Sequence, residues 1–358
     1  MSQRTNTSSR QNDTPDNDGR QRDDDPHARG RAVRAEIQHH LDAGRAVLTY
    51  AKRRNHPVGK NWGAHPVTPD TLAEGSDADW DCNIGMLTGE ASGNLYDIDV
   101  DCDEAVTLAA KWLPPTEMVH GRTTRPRTHY WFAAPDDAAQ GRRAYAYAEL
   151  LPDGTRSDKP QTYLELRGGK VPTPAFQTTI PPSIHTSGDH VYWDKNGIPA
   201  TVAYADLEQR VRLIAAATLL IRHWPNNCHE ATLALVGVLA RCWEHDSEVV
   251  EFVSGVLDGA GHVGHETGLD GMVADARTRL GNSTDAATAA QSESDTPPQT
   301  PIKVKGWPAP QRYDCVTLEY LVDVWRAACP TVQSSPVLAT LDCPTDAACT
   351  FIARCSLD

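Results

Sequence analysis

The segment Leu95-Tyr-Asp-Ile-Asp-Val-Asp101 decides the fold, because apolar and acidic residues alternate along it. An alternation with a period of two predicts a β-strand, in which successive side chains point to opposite faces of the sheet. The apolar residues would then enter a core, and the three aspartates would share the other face. Same-face neighbours in a strand lie about 6.6 Å apart, so Asp97 and Asp99 can flank a cluster of divalent ions.

Three other interpretations compete for this acidic segment. A solvated acidic face is common in an Asp-rich protein and stays open from composition alone. A calcium loop of the EF-hand type fails, because Cys102 stands where glycine is required and Leu108 where glutamate is required. A dinucleotide-binding loop fails as well, since only Gly85-x-x-x-Gly89 precedes the strand and no Gly-x-Gly-x-x-Gly occurs.

A third carboxylate is predicted on a neighbouring strand, in Thr162-Tyr-Leu-Glu-Leu-Arg-Gly-Gly169. The same alternation places Glu165 and Arg167 on one face. Two acids from one strand and one from its neighbour are the usual ligand set of a two-metal phosphoryl-transfer site. Residues 119–170 also carry more Lys and Arg than Asp and Glu, which suits a triphosphate or a nucleic-acid backbone.

The composition excludes some classes of protein. The 358 residues include 34 Lys and Arg against 48 Asp and Glu, a net charge of −14, which argues against a basic nucleic-acid coat but not against an enzyme with a local basic groove. The excess of Asp over Glu and of Arg over Lys favours a halophilic, archaeal source, although a GC-rich genome explains it equally well. The polar N-terminus, the short apolar runs and nine cysteines without a Cys-x-x-Cys pair predict a cytoplasmic protein with reduced thiols and no membrane partner.

Five motifs follow one another in the chain. They are Gly-x-x-Thr-Gly at 85–89, Ser-Gly followed by Asp-x-Asp at 92–99, Thr-His-Tyr-x-Phe at 128–132, Glu-x-Arg-Gly at 165–168, and Pro-Pro-Ser-x-His-x-Ser-Gly with a later Tyr-Trp at 181–193. Their order and spacing over about residues 40–200 resemble the bifunctional primase–polymerase (Prim-Pol) domain of the archaeo-eukaryotic primase superfamily, which is found in plasmid and virus replication proteins.

This resemblance implies roles for individual residues. Asp97, Asp99 and Glu165 match the catalytic acids that would hold two Mg²⁺ or Mn²⁺ ions, and His129 matches the histidine that contacts the phosphates of the incoming nucleotide. Asp101 has no assigned ligand role. Five further residues fall at positions expected to bind the nucleotide: Arg127, Arg167, Ser183, His185 and Lys60.

One departure from the family pattern concerns the residues before His129. The family usually has small residues there, often Gly-Gly, and this chain has Pro126-Arg-Thr128. Because glycines let the backbone approach phosphate closely, Arg127 would either supply the phosphate contact by its charge or narrow the pocket. No Cys/His cluster with zinc-site spacing is visible in this region, so no structural zinc is expected.

The sequence divides into a mixed part and a helical part. The fold class predicted is α+β, with a primase-like catalytic domain built on an RRM-like sheet and a small all-α bundle after it. The first helix is placed at about 34–54, the strands at 94–101, 128–133, 161–167 and 190–194, and the later helices at 204–224, 228–244, 247–258 and 269–280. The predicted segments are a disordered polar tail at 1–34, the catalytic domain at 35–202, the bundle at 203–281, a linker at 282–310 and a C-terminal segment of unknown role at 311–358.

Primase and polymerase activity is therefore the expected function. The enzyme would use NTP or dNTP to make and extend primers on single-stranded DNA, with the helical bundle assisting initiation through Arg210, Arg212, Arg222 and His223. Relatives of this kind continue into a P-loop helicase, and this chain has no such motif, so a helicase would be separate or missing. A metal-dependent nuclease and a non-catalytic replication-initiation protein remain the alternatives.

Overall fold

A computed structural model describes residues 25–135, 142–147, 161–169, 176–224, 228–264 and 267–293. The predictions for the polar tail before residue 25, for most of the linker and for the C-terminal segment 311–358 lie outside the described residues.

The described part of the chain contains seven α-helices and ten β-strands. The helices are α1 Pro26–Asp42, α2 Pro69–Ala73, α3 Asp103–Trp112, α4 Tyr204–Arg222, α5 Cys228–Cys242, α6 Asp246–Gly259 and α7 Leu269–Glu293. The strands are β1 Val47–Tyr50, β2 Asn83–Leu87, β3 Leu95–Val100, β4 Met118–Arg122, β5 Arg125–Ala133, β6 Arg143–Tyr147, β7 Gln161–Arg167, β8 Gln177–Ile180, β9 Val191–Asn196 and β10 Ala200–Thr201. Among these residues, no helix has both the length and the apolar run needed to cross a membrane.

The chain folds into two compact units, and each is assembled from separate stretches of sequence. The first unit consists of Met1–Leu87, Arg122–Thr124 and Thr173–Tyr192. The second unit consists of Thr88–Gly121, Arg125–Pro172 and Trp193–Asp358. The sheet with the acidic strand and the helices after residue 203 therefore belong to the same unit.

The first unit is built on a three-stranded antiparallel sheet in the order β1-β2-β8. Helix α1 begins at Pro26, where the side chain of Asp25 caps its N-terminus and proline occupies the first turn. The helix packs closely against the turn at Asp77–Trp80, because Gly30 faces the Asp77 carbonyl oxygen at a position where a Cβ would lie only 1.6 Å from it. Arg34 adds an ion pair of 3.2 Å to Asp77.

The second unit is built on a seven-stranded sheet in the order β6-β7-β3-β5-β4-β9, with β10 pairing in parallel to β5. Strand β3 lies at its centre, antiparallel to both β5 and β7. The apolar side chains on one face of β3, namely Tyr96, Ile98 and Val100, are fully buried and belong to the same core as helices α3 and α4. The acidic side chains of β3 lie on the opposite face.

Helices α4 to α7 contribute to this same core. Leu207, Val211 and Ile214 recur at three- and four-residue spacing along α4 and are fully buried, as an amphipathic helix requires. The core continues into α5 and α6 through Leu239, Val253 and other fully buried residues. The helices therefore complete the core on the apolar face of the sheet.

Several predicted elements differ from the observed ones at their ends. The first helix, predicted at about 34–54, spans Pro26–Asp42, and β1 occupies Val47–Tyr50. The Asp25-Pro26 cap extends the helix into the predicted tail, and Gly44, with a φ of 70°, ends it. The last helix continues to Glu293, beyond the predicted end near 280.

Candidate active site

The predicted acids and the histidine lie in register on three neighbouring strands. Asp99 on β3 pairs with Glu165 on β7 on one side and with His129 on β5 on the other. Asp97 pairs in the same way with Arg167 on β7. Because residues in register on adjacent strands present their side chains on the same face, the sheet gathers five sequence-predicted site residues into one cluster, called the acid cluster below.

The three carboxylates of the acid cluster are almost entirely buried. Asp97 is fully buried, Asp99 is 6% exposed and Glu165 is 3% exposed. Three buried carboxylates would repel one another and would each lose their hydration, so a protein can hold them only with positive groups among them.

Arg167 supplies most of this positive charge. Its Nε lies 2.5 Å from Glu165 Oε2, its Nη2 contacts Asp99 Oδ2, and its Nη1 lies 3.7 Å from Asp97 Oδ2. Burial alone would lower the pKa of Arg167, but the three carboxylates raise it above its ordinary value. The guanidinium is therefore a fixed internal cation shared by all three acids.

His129 supplies a second positive group on the other side of β3. Its Nδ1 lies 3.1 Å from Asp97 Oδ2, and its Nε2 lies 3.6 Å from Asp99 Oδ1. Burial tends to lower the pKa of His129, but Asp99 and Asp97 outweigh that effect and the pKa is raised. Burial likewise tends to raise the pKa of Asp97, but His129 and Arg167 hold it below its ordinary value. The pair therefore favours an imidazolium beside a carboxylate.

Glu165 is held in its ionised form by two arginines. Arg142, which precedes β6, contacts Glu165 Oε1, and Arg167 contacts Oε2. Burial would raise the pKa of Glu165, but the hydrogen bond from Arg142 and the charge of Arg167 lower it overall.

Asp101, the third aspartate of the alternating segment, behaves differently. Its side chain is 40% exposed, and its carboxylate forms a long ion pair of 3.9 Å with Arg125. Burial of the carboxyl group, followed by the charge of Asp99, raises its pKa to about 6. Asp101 therefore lies at the margin of the acid cluster, where His129, Arg167 and Arg125 lower its pKa by less than burial and Asp99 raise it.

The chemistry of the three acids fits a divalent metal ion. Carboxylate oxygens are the ligands that Mg²⁺ and Mn²⁺ prefer, and a cation, the Arg167 guanidinium, already lies among them. In this arrangement no group of three His, Cys, Asp or Glu side chains within the described ranges is placed to hold a metal ion. Metal binding by these acids would therefore require Arg167 to withdraw.

Aromatic residues border the acid cluster on the side of β5. The rings of His120 on β4 and His129 are stacked in parallel, with centroids 4.3 Å apart and an interplanar angle of 5°. The Trp131 indole N–H donates to His120 Nδ1 at 2.9 Å, and Trp193 on β9 meets the His120 ring edge-on at 5.1 Å. One side of the His129 ring is thus covered by an aromatic group of the protein.

Arg127 has the backbone conformation that glycine adopts most readily. Its φ is 54°, in the left-handed region, at the position where the family pattern has a small residue. Its side chain turns to Asp194 on β9, with Nε donating to Oδ2 at 2.9 Å, and is 52% exposed. The hairpin between β4 and β5 therefore keeps a glycine-like backbone while its arginine pairs with an acid outside the acid cluster.

The remaining predicted site residues belong to the first unit. Ser183 is fully buried, and its hydroxyl accepts from the Ile84 N–H at 2.9 Å and donates to the Ile84 carbonyl at 3.0 Å. The Nδ1 of His185 lies 2.8 Å from Arg122 Nη1 and accepts from the Ser187 N–H at 3.1 Å. Lys60 is exposed in a turn-rich stretch. In the first unit Ser183 therefore ties the loop after β8 to β2.

The α4 arginines expected to assist initiation make contacts within the second unit. Arg210 donates to the Trp112 carbonyl at 2.9 Å, Arg212 pairs with Glu208 at 2.8 Å, and Arg222 pairs with Glu104 at 3.2 Å. These contacts fix α4 to α3 and to its own preceding turn.

Sequence reasoning missed Arg142, which contacts Glu165, and three aromatic residues that border the site, namely His120, Trp131 and Trp193. Trp131 and Trp193 lie within quoted motifs, and His120 lies at the start of the basic segment 119–170, but only the strand register brings their rings together. Alternation predicts the face on which a side chain lies, whereas the pairing of β4 and β9 beside β5 requires the topology.

The sheet is backed by helices, its central strand β3 is antiparallel to both neighbours, and its other face gathers three carboxylates, an arginine and a histidine. This is the arrangement expected of an enzyme that acts on phosphate esters. Residues 37–207 match the family model described as bifunctional DNA primase/polymerase, N-terminal (Prim-Pol). This match confirms, over residues 37–207, the resemblance to the Prim-Pol domain drawn from the motifs. Searches of the curated proteins and of the solved structures found no match.

Proposed function

We propose that this protein is a nucleotidyltransferase that synthesises primers on single-stranded DNA and extends them. In this reaction a 3′-hydroxyl attacks the α-phosphate of an NTP or dNTP, a new phosphodiester bond forms, and pyrophosphate leaves as its bond to the α-phosphate breaks. The observation that carries the proposal is the row of Glu165, Asp99 and His129 across three adjacent strands, within the range that matches the Prim-Pol family.

The acids of this row would bind divalent metal ions. Asp97, Asp99 and Glu165 supply hard oxygen ligands. All three contact the Arg167 guanidinium, which supports the view that this face accommodates a positive charge among the acids. When bound, Mg²⁺ or Mn²⁺ would activate the attacking hydroxyl and offset the charge that develops on the phosphates.

His129 and Arg167 would bind the triphosphate. The acids that surround His129 favour its protonated form, and an imidazolium is a good partner for phosphate oxygens. Arg167 would exchange its carboxylate partners for phosphate oxygens when metal ions neutralise the acids. A guanidinium pairs with phosphate as well as with carboxylate, so the exchange leaves no charge uncompensated.

The helices after residue 203 are part of the hydrophobic core, so their role in starting a primer cannot be tested by removing them. Ending the chain near Ala203 would expose the core that α4 covers through Leu207, Val211 and Ile214. We therefore expect that a chain ended there fails to fold, and the role of the helices in starting a primer is better tested by surface substitutions in the full chain. The setting of plasmid or virus replication and a helicase partner are proposed from the motif resemblance alone.

The test of this function is synthesis on unprimed single-stranded DNA. Purified full-length chain is incubated with labelled NTP or dNTP and with Mg²⁺ or Mn²⁺, at several salt concentrations, and the products are resolved by length. We expect labelled oligonucleotides that depend on the template and the metal, together with extension of a supplied primer. Asp99→Asn is the inactive variant, and Asp103→Asn, which removes an exposed acid from the first turn of α3, is the matched control.

Two outcomes would overturn the proposal. Shortening of the template or of an end-labelled primer, without incorporation, would identify a metal-dependent nuclease. Binding of single-stranded DNA with no incorporation under any of these conditions would identify a non-catalytic replication protein.

A further inference from the structure

His120 is the buried ionisable group beside the acid cluster to which the proposed chemistry gives no role. It lies on β4 and is fully buried. Buried polar side chains require hydrogen-bond partners, and the surroundings of this one are unusual, because three aromatic rings surround its own ring.

Contacts on several sides fix the orientation of the His120 ring. Its Nδ1 accepts a hydrogen bond of 2.9 Å from Trp131 Nε1, and Trp193 meets it edge-on at 5.1 Å. The Trp131 ring itself lies at a centroid distance of 5.8 Å and an angle of 25°. An indole N–H is a donor only, so this hydrogen bond also identifies Nδ1 as the acceptor atom of His120.

The His129 ring stacks on the face of the His120 ring. The two imidazoles are nearly parallel, at 5° and a centroid distance of 4.3 Å. The carboxylates of Asp97 and Asp99 approach the ring nitrogens of His129 at 3.1 and 3.6 Å. Those contacts define where the nitrogens point, and the stacked ring of His120 defines the plane in which they lie. Without the His120 ring, the His129 ring could tilt while keeping one carboxylate contact.

We propose that His120 is a positioning residue for His129, which sets the plane of the triphosphate-binding imidazole through ring stacking. The inference rests on the proposed function, because it assumes that His129 contacts the nucleotide. His120 itself touches no substrate in this account. Misplacing a binding group by about 1 Å can reduce its effect up to 100-fold, so the loss expected here is roughly 10-fold in nucleotide affinity.

Two substitutions of His120 distinguish the effect of ring stacking from the effect of the hydrogen bond with Trp131. His120→Phe keeps a flat ring to stack on His129 but cannot accept from the Trp131 N–H. His120→Asn keeps an acceptor near Nδ1 but has no ring. If stacking positions His129, His120→Asn raises the KM for the nucleotide about 10-fold with a much smaller change in kcat, and His120→Phe keeps the KM within about 3-fold.

An exposed histidine of the first unit provides the control. His39→Asn replaces an exposed histidine of α1 in the first unit and should leave both KM and kcat unchanged. Melting temperatures of all variants are measured first, because His120→Phe leaves the Trp131 N–H without its acceptor and should be the less stable of the two His120 variants. A structural role alone would make activity follow stability, and the positioning role predicts the opposite order.

A second readout does not depend on catalysis. In the nucleotide-free protein, we expect the ring current of the stacked His120 to shift the Hε1 resonance of His129 in the NMR spectrum. This shift should persist in His120→Phe and disappear in His120→Asn. An unchanged resonance in His120→Asn, or a KM raised in His120→Phe and unchanged in His120→Asn, would overturn the inference. Absence of nucleotide use by the wild-type chain would instead overturn the proposed function and the inference with it, even where the NMR shift confirms the stack.

Discussion

The two faces of strand β3 have the same backbone and opposite chemistry. On one face Tyr96, Ile98 and Val100 are fully buried in the core. On the other face Asp97 and Asp99 are nearly as buried, yet they lie among charged groups. Burial of an aliphatic side chain stabilises a fold by about 1.5–3 kcal/mol, whereas a buried carboxylate costs free energy unless it is paired. The apolar face therefore stabilises the fold. The acidic face lowers the free energy of unfolding unless its carboxylates are paired, and it forms the candidate site.

The sharpest test of this comparison substitutes neighbouring residues on the two faces. Asp97→Asn should reduce nucleotide incorporation by about 1000-fold or more, because metal ligation of this kind is worth several kcal/mol in the transition state. Ile98→Ala should lower the free energy of unfolding by about 2–5 kcal/mol through a core cavity. At a temperature where both variants are folded, Ile98→Ala should retain activity within about 3-fold. An active Asp97→Asn, or an inactive but folded Ile98→Ala, would contradict the claim that one face of β3 serves activity and the other serves stability.

The next largest effect concerns Arg167, the cation that contacts all three carboxylates of the acid cluster. Arg167→Met should lower the free energy of unfolding by about 3–5 kcal/mol in the presence of EDTA, because it leaves buried carboxylates uncompensated. Mg²⁺ or Mn²⁺ should then raise the melting temperature of Arg167→Met more than that of the wild type, since ions that bind only the folded state stabilise it. The control is Arg279→Met, which breaks an exposed i,i+4 pair with Asp275 on α7 and should cost at most about 0.5 kcal/mol. Equal responses of wild type and Arg167→Met to metal would show that Arg167 does not occupy the metal position.

Asp101, at the margin of the polar face, should show a pH dependence of the opposite sign from a paired acid. Its folded pKa of about 6 lies above the ordinary value for aspartate, so the folded state binds the proton more tightly than the unfolded state. The corresponding stability is present below about pH 4 and is lost as the pH rises through about 6. Asp101→Asn should therefore melt about 1–2 °C higher than the wild type at pH 7 and show no gain at pH 4, the effect being small because the side chain is 40% exposed. A gain that is larger at pH 4 than at pH 7 would contradict this sign.

The smallest predicted effect concerns the backbone at Arg127. Because its φ is 54°, Arg127→Gly should be more stable than Arg127→Ala by about 1 kcal/mol, since only glycine adopts this region without steric cost. Both variants lose the exposed pair with Asp194, so their difference isolates the backbone term. The KM for the nucleotide should change by less than about 3-fold in either variant, because the exposed pair holds the side chain away from the acid cluster. A 10-fold rise in KM would assign Arg127 to the triphosphate.

Much of the central sheet could be predicted from the sequence, because alternation is a local property. The strand of Asp97 and Asp99 and the strand of Glu165 were predicted within one residue of their observed ends. The short strand β1, Val47–Tyr50, was predicted as helix, because four residues after a helical pattern carry too little periodicity to mark a change. The start of α1 was missed although Asp25-Pro26 is a recognisable capping signal.

The parts of the site that could not be predicted depend on pairing between distant strands. Alternation places Arg167 on the face of Glu165, but only the register of β3 with β7 brings its guanidinium to Asp97 and Asp99. The contact of His120 with His129 likewise depends on the position of β4 beside β5. The first unit combines three stretches of sequence, and no local pattern shows that they belong together.

The most direct test of the central claim is the stoichiometry of one incorporation event. Full-length wild type is given a primed template whose next base admits one nucleotide, that labelled nucleotide, and Mg²⁺ or Mn²⁺, and primer extension and pyrophosphate release are measured together. We expect one pyrophosphate for each primer lengthened by one residue, with neither product formed by Asp99→Asn and both formed by Asp103→Asn. Extension that persists in Asp99→Asn, or its absence from the folded wild type under every metal and salt condition, would contradict the assignment of nucleotidyl transfer to the acid cluster.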